Sequence, residues 1–143
     1  MDAPSGLPPK LSCGAVLLRQ TGHAWVVLML RAYSNWDFPR GLREEGETPL
    51  AAARREVGEE TGITDLELAW GERYFDSGPY NRGKVARYYL MQTATERVTM
   101  GVSPLLGRPE HHEFRWASFD EAYDLSAPRV RLVIQWARQV IGA

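Results

Sequence analysis

The segment from Gly41 to Ile63 constrains this chain most strongly, because it is acidic and has the residue spacing of a short helix. It contains six glutamates. Glu56, Glu59 and Glu60 lie at positions i, i+3 and i+4, so a helix would place their carboxylates on one face. Like charges on one helical turn repel each other, whereas a hard divalent cation would bind them together. The segment therefore predicts a metal site on a helix, with a solvated acidic surface as the alternative.

The predicted helix has clear start and stop signals. Thr48 is a favourable N-cap residue, and Pro49 suits the first helical position. Gly62 is placed to end the helix in the left-handed conformation. The apolar side chains expected on its buried stripe are Leu50, Ala53 and Val57.

Apolar runs and turn residues divide the rest of the chain into further elements. The runs at 11–19 and 24–30 are separated by a glycine-containing turn and predict a hairpin of buried strands. A capping-box pattern predicts a helix over 118–125, and Ser126 is expected to cap a last helix that reaches about Ile141. Further strands are expected at 66–75, 85–93, 96–102 and 113–116, a loose lead-in at 1–10, and loops at 31–47, 76–84 and 103–112. These elements predict one domain over 1–143, with helices packed on a mixed sheet.

Composition sets broad limits on function. The chain has 143 residues, of which 44% are hydrophobic and 24% are charged, as in an ordinary globular domain. Its net charge of −1 gives no electrostatic basis for binding long nucleic acid. The single cysteine, Cys13, has no partner for an internal disulfide, and neither a secretory signal nor a membrane-spanning run is visible. We therefore expect a cytoplasmic protein with no membrane partner.

The acidic segment and the residues before it follow a definite spacing. Gly41 is followed after five residues by Glu47, and after seven more by the run REVGEETGI at 55–63. A WDFPR run precedes the segment and ends at Arg40. This pattern resembles the Nudix box of the Nudix hydrolase family, with Arg40 in place of the usual lysine. The resemblance implies a Nudix-type α/β/α sandwich of the α/β class and hydrolysis of a nucleoside diphosphate linked to another group.

The resemblance also implies a metal-dependent mechanism. Glu56, Glu59 and Glu60 would bind Mg²⁺, with Mn²⁺ as the other candidate, and the carbonyl of Gly41 would add a ligand. Divalent ions neutralise phosphate oxygens and activate water, which is the chemistry that a phosphoanhydride requires. Glu59 or Glu110 is then expected to act as the general base that deprotonates the attacking water.

Other charged residues are expected to support this chemistry. By resemblance, Arg55 forms an ion pair that orients one of the glutamates, and Glu47 supports the site. Arg40 and Lys84 are expected to supply positive charge to the phosphates and to the leaving group.

Two segments outside the box bear on the substrate. The runs GKVARYYL and RPEHHEFRW are similar to the asymmetric diadenosine tetraphosphate hydrolase branch of the family. That similarity implies that Lys84 contacts phosphate and that Tyr88 stacks on adenine, and strand alternation would put both on one face. It also implies that Glu110, or Glu113 as the alternative, is a metal ligand or the general base. The predicted reaction is hydrolysis of diadenosine tetraphosphate to ATP and AMP.

Several alternatives stay open at this point. Tyr88 and Tyr89 would equally serve as core aromatics, and Lys84 as a solvated charge. His111 is either an ordinary loop residue or, when protonated, a phosphate-binding cation. The rival substrates are a 5′-triphosphorylated RNA end and an oxidised nucleoside triphosphate. The non-enzymatic rival is a nucleotide-sensing module without turnover.

Overall fold

The computed structural model describes residues 6–143, and within them seven strands form one sheet. The strands are β1 (Leu11–Thr21), β2 (Ala24–Ala32), β3 (Asn35–Asp37), β4 (Arg40–Leu42), β5 (Tyr74–Tyr80), β6 (Lys84–Gln92) and β7 (Glu113–Ala117). The helices are α1 (Pro49–Thr61), α2 (Phe119–Leu125) and α3 (Pro128–Ile141).

The sheet is mixed, and β1 is its central strand. β1 pairs antiparallel with β2 and β4 and parallel with β6. β5 extends the sheet beyond β6, and β3 and β7 both pair with β2, all in antiparallel orientation. The predicted β1–β2 hairpin is confirmed, with Thr21 opposite Ala24 next to the turn.

Side-chain alternation along β1 divides the core into two layers. Cys13, Ala15 and Leu17 are buried on one face, in the layer that contains the apolar side of α1. Val16 and Leu18 are buried on the other face, with the apolar sides of α2 and α3. Helices therefore cover both faces of the central strands, and the predicted α/β/α sandwich is confirmed.

Helix α1 begins and ends where its sequence signals predict. The Thr48 hydroxyl accepts a hydrogen bond from the Ala51 N–H at 3.1 Å. Gly62 has a φ of 74° at the end of the helix, a left-handed conformation that glycine adopts without strain. Leu50, expected on the buried stripe, is only partly buried. The buried residues of α1 are Ala52, Ala53, Val57 and Thr61.

Some strand predictions are wrong, because pairing partners outweigh local composition. The strand expected at 66–75 lies instead at Tyr74–Tyr80. This strand contains a Ser-Gly-Pro run, which was predicted to belong to a loop because these residues are rare in strands. Residues 96–102 do not form a strand. The loop expected at 31–47 contains the short strands β3 and β4, which the neighbouring strands β2 and β1 hold by backbone hydrogen bonds.

The two C-terminal helices differ from the prediction in one cap. Ser118 caps α2 as predicted, accepting from the Glu121 N–H at 3.1 Å. Ala127, not Ser126, occupies the N-cap position of α3, which has no side-chain cap. Ser126 instead follows α2 and donates its hydroxyl to the carbonyl of Ala122 at 2.7 Å.

The lead-in expected at 1–10 is covered in part. Residues 1–5 lie outside the described residues, and 6–10 precede β1 without helix or strand. Within residues 6–143, each helix is too short or too polar to cross a membrane.

A glycine in β1 allows the β3–β4 connection to lie directly against the sheet. A Cβ atom at Gly14 would overlap the carbonyl oxygen of Pro39 and would lie 2.7 Å from the Cα of Arg40. The Ala15 N–H donates to the Pro39 carbonyl at 3.2 Å. This close passage places Arg40 and the following Gly41 between β1 and α1.

Candidate active site

A cavity of about 600 Å³ lies beside β4 and α1, a volume typical of small-molecule sites. Its acidic lining residues are Asp37, Glu56, Glu59, Glu60 and Glu110. Arg40 and His111 line it as well, and its apolar wall includes Leu42, Met100, Val102 and Pro104. The cavity therefore joins a cluster of carboxylates, a guanidinium and an apolar surface.

Helix α1 directs Glu56, Glu59 and Glu60 into this cavity, so the face predicted from their spacing is observed. Gly41 of β4 makes room for them, because a Cβ atom there would overlap the Glu56 carboxylate. The backbone N–H of Arg40 donates to the Glu60 carboxylate at 3.1 Å. The backbone of β4 thus packs directly against the acidic side chains of α1.

Two of these carboxylates, Glu56 and Glu60, resist ionisation in the protein alone. Burial, reinforced by the charges of Glu56 and Glu110, raises the pKa of Glu60 to about 9. Burial also raises the pKa of Glu56, against the opposing effect of Arg55. A bound cation would remove both the repulsion and the cost of burying these charges.

Arg55 holds the acidic side chains in place from outside the cavity. Its Nε and Nη2 donate to the two carboxylate oxygens of Glu47 at 2.7 and 3.0 Å. Its Nη1 donates to Glu56 at 2.9 Å and to Glu59 at 3.3 Å. The bidentate hydrogen bond lowers the pKa of Glu47 to about 2. Arg55 and Glu47 lie where the predicted supporting ion pair requires them, and their part in turnover stays a prediction.

The donor atoms in the cavity fit a hard divalent cation. Glu60, Glu110 and His111 each offer one ligand atom, and these atoms lie within 4.8 Å of one another. Glu56 and Glu59 line the same cavity. Carboxylate oxygens are the protein ligands that Mg²⁺ and Mn²⁺ prefer, so the glutamates suit such an ion better than the imidazole does.

Arg40 faces the cavity from β4 and is held by Asp37. The Arg40 Nε donates to the Asp37 carboxylate at 3.0 Å. Within residues 6–143, neither terminal nitrogen of Arg40 has a hydrogen-bond partner, so both remain available to a ligand. Asp37 also accepts from Arg129 at 2.7 Å and from the Tyr88 hydroxyl at 2.9 Å.

Tyr88 lies in the core instead of at the cavity surface. Its exposed fraction is 0%, and Phe38 packs edge-on against its ring with centroids 5.8 Å apart. Burial raises the pKa of Tyr88, so its hydroxyl stays protonated. A buried ring offers no face to a base. The predicted adenine stacking by Tyr88 is therefore incompatible with this structure, and its alternative as a core aromatic is observed.

Lys84 and Glu113 also lie outside the cavity. Lys84 is exposed at the start of β6. Glu113 of β7 accepts hydrogen bonds from Arg31 at 3.0 Å and from Arg115 at 3.3 Å, which lower its pKa. The structure therefore leaves Lys84 without the predicted place beside the phosphates. Of the two alternatives, Glu110 lines the cavity together with the glutamates of α1, whereas Glu113 does not.

His111 lines the cavity next to Glu110. Burial lowers its pKa, which favours the neutral imidazole in the protein alone. Its role as a phosphate-binding cation stays a prediction.

Sequence reasoning missed Asp37 and Arg129. Asp37 lies within the WDFPR run, where an acid between two aromatic residues was the available signal. Arg129 is 92 residues from Asp37, and no local pattern connects them. The residues at 100–104, left without a role by the sequence, form one wall of the cavity.

Comparison with known proteins agrees with the geometry. A family model described as the NUDIX domain matches residues 8–137. The chain belongs to the Nudix hydrolase family. A curated RNA pyrophosphohydrolase from Caulobacter vibrioides is 34% identical over 94% of this chain and 85% of its own length. Another from Bartonella henselae is 30% identical over 80% of this chain and 75% of its own length. The prediction of a Nudix hydrolase from the box is confirmed.

Solved structures of other hydrolases share the fold at low sequence identity. A C. elegans Ap4A hydrolase in a binary complex has a TM-score of 0.76 at 20% identity, covering 94% of this chain and 99% of that chain. The E. coli dihydroneopterin triphosphate pyrophosphohydrolase has a TM-score of 0.69 at 23% identity, covering 95% and 98%. At this identity the likeness establishes the Nudix fold and leaves the substrate open.

Proposed function

We propose that this Nudix hydrolase cleaves a phosphoanhydride bond in a 5′-polyphosphate, and that its first candidate substrate is a 5′-triphosphorylated RNA end. The observation that carries the reaction class is the cavity that Glu56, Glu59, Glu60 and Glu110 line together with Arg40. The similarity to RNA pyrophosphohydrolases over 94% of the chain supports the choice of an RNA end. The net charge of −1 suits recognition of an end more than of a long nucleic acid.

The glutamates of the cavity would hold the metal. Glu56, Glu59 and Glu60 are the first candidates for ligands, with Mg²⁺ as the expected ion and Mn²⁺ as the alternative. The carbonyl of Gly41, next to Glu56, is a further candidate. When bound, such ions neutralise phosphate oxygens and lower the pKa of the attacking water. Arg40 would donate to a phosphate oxygen through its free terminal nitrogens.

The chain must also accept a proton from water. As the oxygen of water bonds to phosphorus, the bond from that phosphorus to the leaving pyrophosphate oxygen breaks, and the water proton passes to a carboxylate. Glu59 and Glu110 are the candidates, since both line the cavity and are exposed. Glu59 also accepts a hydrogen bond from the Arg55 guanidinium at 3.3 Å, which orients its carboxylate.

Diadenosine tetraphosphate is the second candidate substrate. The residues that first indicated it, Lys84 and Tyr88, lie outside the cavity. Its support now comes from the apolar rim, where Leu42 and Val102 line the cavity with exposed fractions of 61% and 63%. Such side chains would give apolar contact to a second base outside the acidic cluster.

The reaction class and the substrate are tested together with a substrate panel. The full-length protein is incubated with MgCl₂ and, separately, 5′-triphosphorylated short RNA, diadenosine tetraphosphate and an oxidised nucleoside triphosphate, and the products are separated by anion-exchange chromatography. We expect pyrophosphate release from the RNA end with a kcat/KM at least about tenfold above the other substrates. Faster conversion of diadenosine tetraphosphate to ATP and AMP would favour the second candidate.

Variants distinguish turnover by this cavity from contamination. Glu59→Gln and Glu110→Gln are each assayed, and we expect loss of the general base to lower kcat by about 10²-fold or more. Glu121→Gln is the matched control, because Glu121 is a glutamate outside the cavity that pairs with Arg115 at 2.9 Å. Binding of the panel without hydrolysis of any member would support a nucleotide-sensing module and reject the proposed enzyme.

A further inference from the structure

The Asp37 carboxylate, which lines the cavity, is a junction that accepts hydrogen bonds from four donors. One oxygen accepts from the Phe38 N–H at 2.7 Å and from the Tyr88 hydroxyl at 2.9 Å. The other accepts from Arg40 at 3.0 Å and from Arg129 at 2.7 Å. These donors fill the acceptor sites of a carboxylate, so its orientation is fixed from several directions.

Arg129 enters this junction from the first turn of α3. Its Nη1 donates to the Ser77 hydroxyl at 3.0 Å and to the Tyr88 hydroxyl at 3.1 Å, while its Nη2 donates to Asp37. Its guanidinium carbon lies 4.5 Å from the centroid of the Tyr80 ring. Residues of β5 and β6 therefore fix the Arg129 guanidinium in the position from which it donates to Asp37.

The junction brings two guanidinium groups to one carboxylate oxygen. Arg40 and Arg129 repel each other, and Asp37 is the negative charge between them. The Tyr80 ring contacts both guanidiniums, with Arg40 at 5.8 Å from its centroid. The group keeps an excess positive charge, and its members Arg40 and Asp37 line the same cavity as the glutamates, where a polyphosphate would lie.

We propose that Arg129 and Tyr88 are positioning residues that act through Asp37 to hold the Arg40 guanidinium in the orientation that binds a substrate phosphate. The inference rests on the proposed function, since it assigns the phosphate contact to Arg40. Arg129 and Tyr88 do not line the cavity, so their effect on the substrate passes through Asp37.

The physical basis is preorganisation. An arginine side chain loses rotamer entropy when it is fixed, and a network that fixes it before binding removes this cost from the binding step. Asp37 accepts a hydrogen bond from the Nε of Arg40 only, so within residues 6–143 the two terminal nitrogens can donate to a ligand in the cavity. Without Arg129, the Asp37 oxygen that accepts from Arg40 loses its second guanidinium donor, so the Arg40–Asp37 pair is held less firmly.

The test compares kcat and KM of the full-length protein with 5′-triphosphorylated RNA and Mg²⁺. We expect Arg40→Met to raise KM about 10- to 100-fold, as for loss of a hydrogen bond to a charged group. We expect Arg129→Met to raise KM about 5- to 10-fold while kcat changes less than about threefold. The double variant should be no worse than Arg40→Met alone, because both substitutions remove one function.

Conservative variants keep the test decisive if Arg129→Met does not fold. Tyr88→Phe removes one hydroxyl and should raise KM about two- to fivefold. Arg129→Lys retains the charge but not the planar fork, so its KM should lie between the wild type and Arg129→Met. Arg138→Met is the matched control on α3, because Arg138 pairs with Asp120 at 2.8 Å away from the junction. Its KM should equal that of the wild type.

A second readout separates this inference from the proposed function. Binding of α,β-imido ATP, in which the bond expected to break is blocked, is measured by calorimetry in the presence of Ca²⁺. Its Kd should rise across the variants in the same order as KM. Wild-type turnover with an unchanged KM in Arg129→Met and Tyr88→Phe would overturn the inference alone, as would additive effects in the double variant. A wild-type protein that neither cleaves the panel nor binds the analogue would overturn both.

Discussion

At the scale of single residues, Gly41 is the point where the backbone and the acidic cluster meet. Its missing side chain leaves space that the Glu56 carboxylate fills. The atoms that an added Cβ would meet belong to the end of a flexible glutamate side chain. A side chain at this position would therefore move Glu56 without moving the backbone of β4.

We predict that Gly41→Ala folds normally and loses function. The displaced Glu56 should weaken Mg²⁺ binding and lower kcat/KM at least about tenfold, as expected for a disturbed metal ligand. The measurements are Mg²⁺ titration of activity and thermal unfolding. Gly58→Ala in α1 is the control, because its Cβ would meet no atom closer than 4.0 Å. Normal activity in Gly41→Ala would show that the reaction does not require the Glu56 carboxylate in the space beside Gly41.

At the scale of elements, α1 is the helix that carries the candidate metal ligands. Its N-terminus depends on the Thr48 hydroxyl, and its C-terminus on the left-handed Gly62. Loss of the N-cap leaves an N–H group of the first turn without a partner. The stability of α1 and the geometry of the acidic cluster are thus set by residues outside the cavity.

We predict that Thr48→Ala lowers the free energy of unfolding by about 1 kcal/mol. Urea unfolding in EDTA measures this effect without a contribution from bound metal. Thr48→Ser, which keeps the hydroxyl, should differ from the wild type by less than about half of that amount. Equal stability of Thr48→Ala and the wild type would show that the hydrogen bond to Ala51 contributes nothing.

The position of strand β6 in the sheet decides whether its tyrosines are available to a ligand. It lies beside β1 inside the sheet, with helices over both faces. Tyr88 and Tyr89 point to opposite faces and both are buried. Alternation alone placed Tyr88 with Lys84 on one face, but it did not show that α3 covers this face at Tyr88.

At the scale of the whole molecule, the acidic cluster links stability to pH and to metal. The pKa of Glu60 is raised from 4.5 to about 9, so the folded protein binds a proton that the unfolded chain releases. This contribution to stability is present below the unfolded pKa of 4.5 and is lost as pH rises toward 9. Glu47 has the opposite effect, because its pKa is lowered to about 2. Its contribution to the stability of the folded protein is present above pH 4.5 and is lost as pH falls from 4.5 toward 2.

We predict that the metal-free protein becomes less stable between about pH 5 and about pH 8, and that Mg²⁺ restores the loss. Glu60→Gln removes the group that must take up a proton on folding at about pH 8, and it should raise the metal-free Tm at that pH by about 3–8 °C. It should also reduce the Tm increase caused by Mg²⁺. Thermal unfolding in EDTA and in MgCl₂ at both pH values measures these effects. Glu121→Gln is the control.

A lower metal-free Tm for Glu60→Gln at about pH 8 would contradict the stated cost of protonating Glu60 on folding. An unchanged response to Mg²⁺ would remove Glu60 from the metal ligands. The expected cytoplasmic location is independent of both results and stays a prediction.

The local pattern of the chain was sufficient for the parts of the protein that short-range physics controls. The spacing of the Nudix box, the Thr48 cap and Gly62 predicted α1 and the convergence of its glutamates. Apolar runs around a turn predicted the β1–β2 hairpin. These predictions hold because capping, helical periodicity and hairpin pairing depend on residues that are near each other in the chain.

Long-range packing controls the remaining features, which the sequence left open. The position of β6 beside β1 buries Tyr88, and the path of α3 carries Arg129 to Asp37 across 92 residues of separation. β5 forms at Tyr74–Tyr80 because β6 offers it a backbone partner there. The physical reason is that burial and ion pairing depend on which elements become neighbours, and no local periodicity encodes that choice.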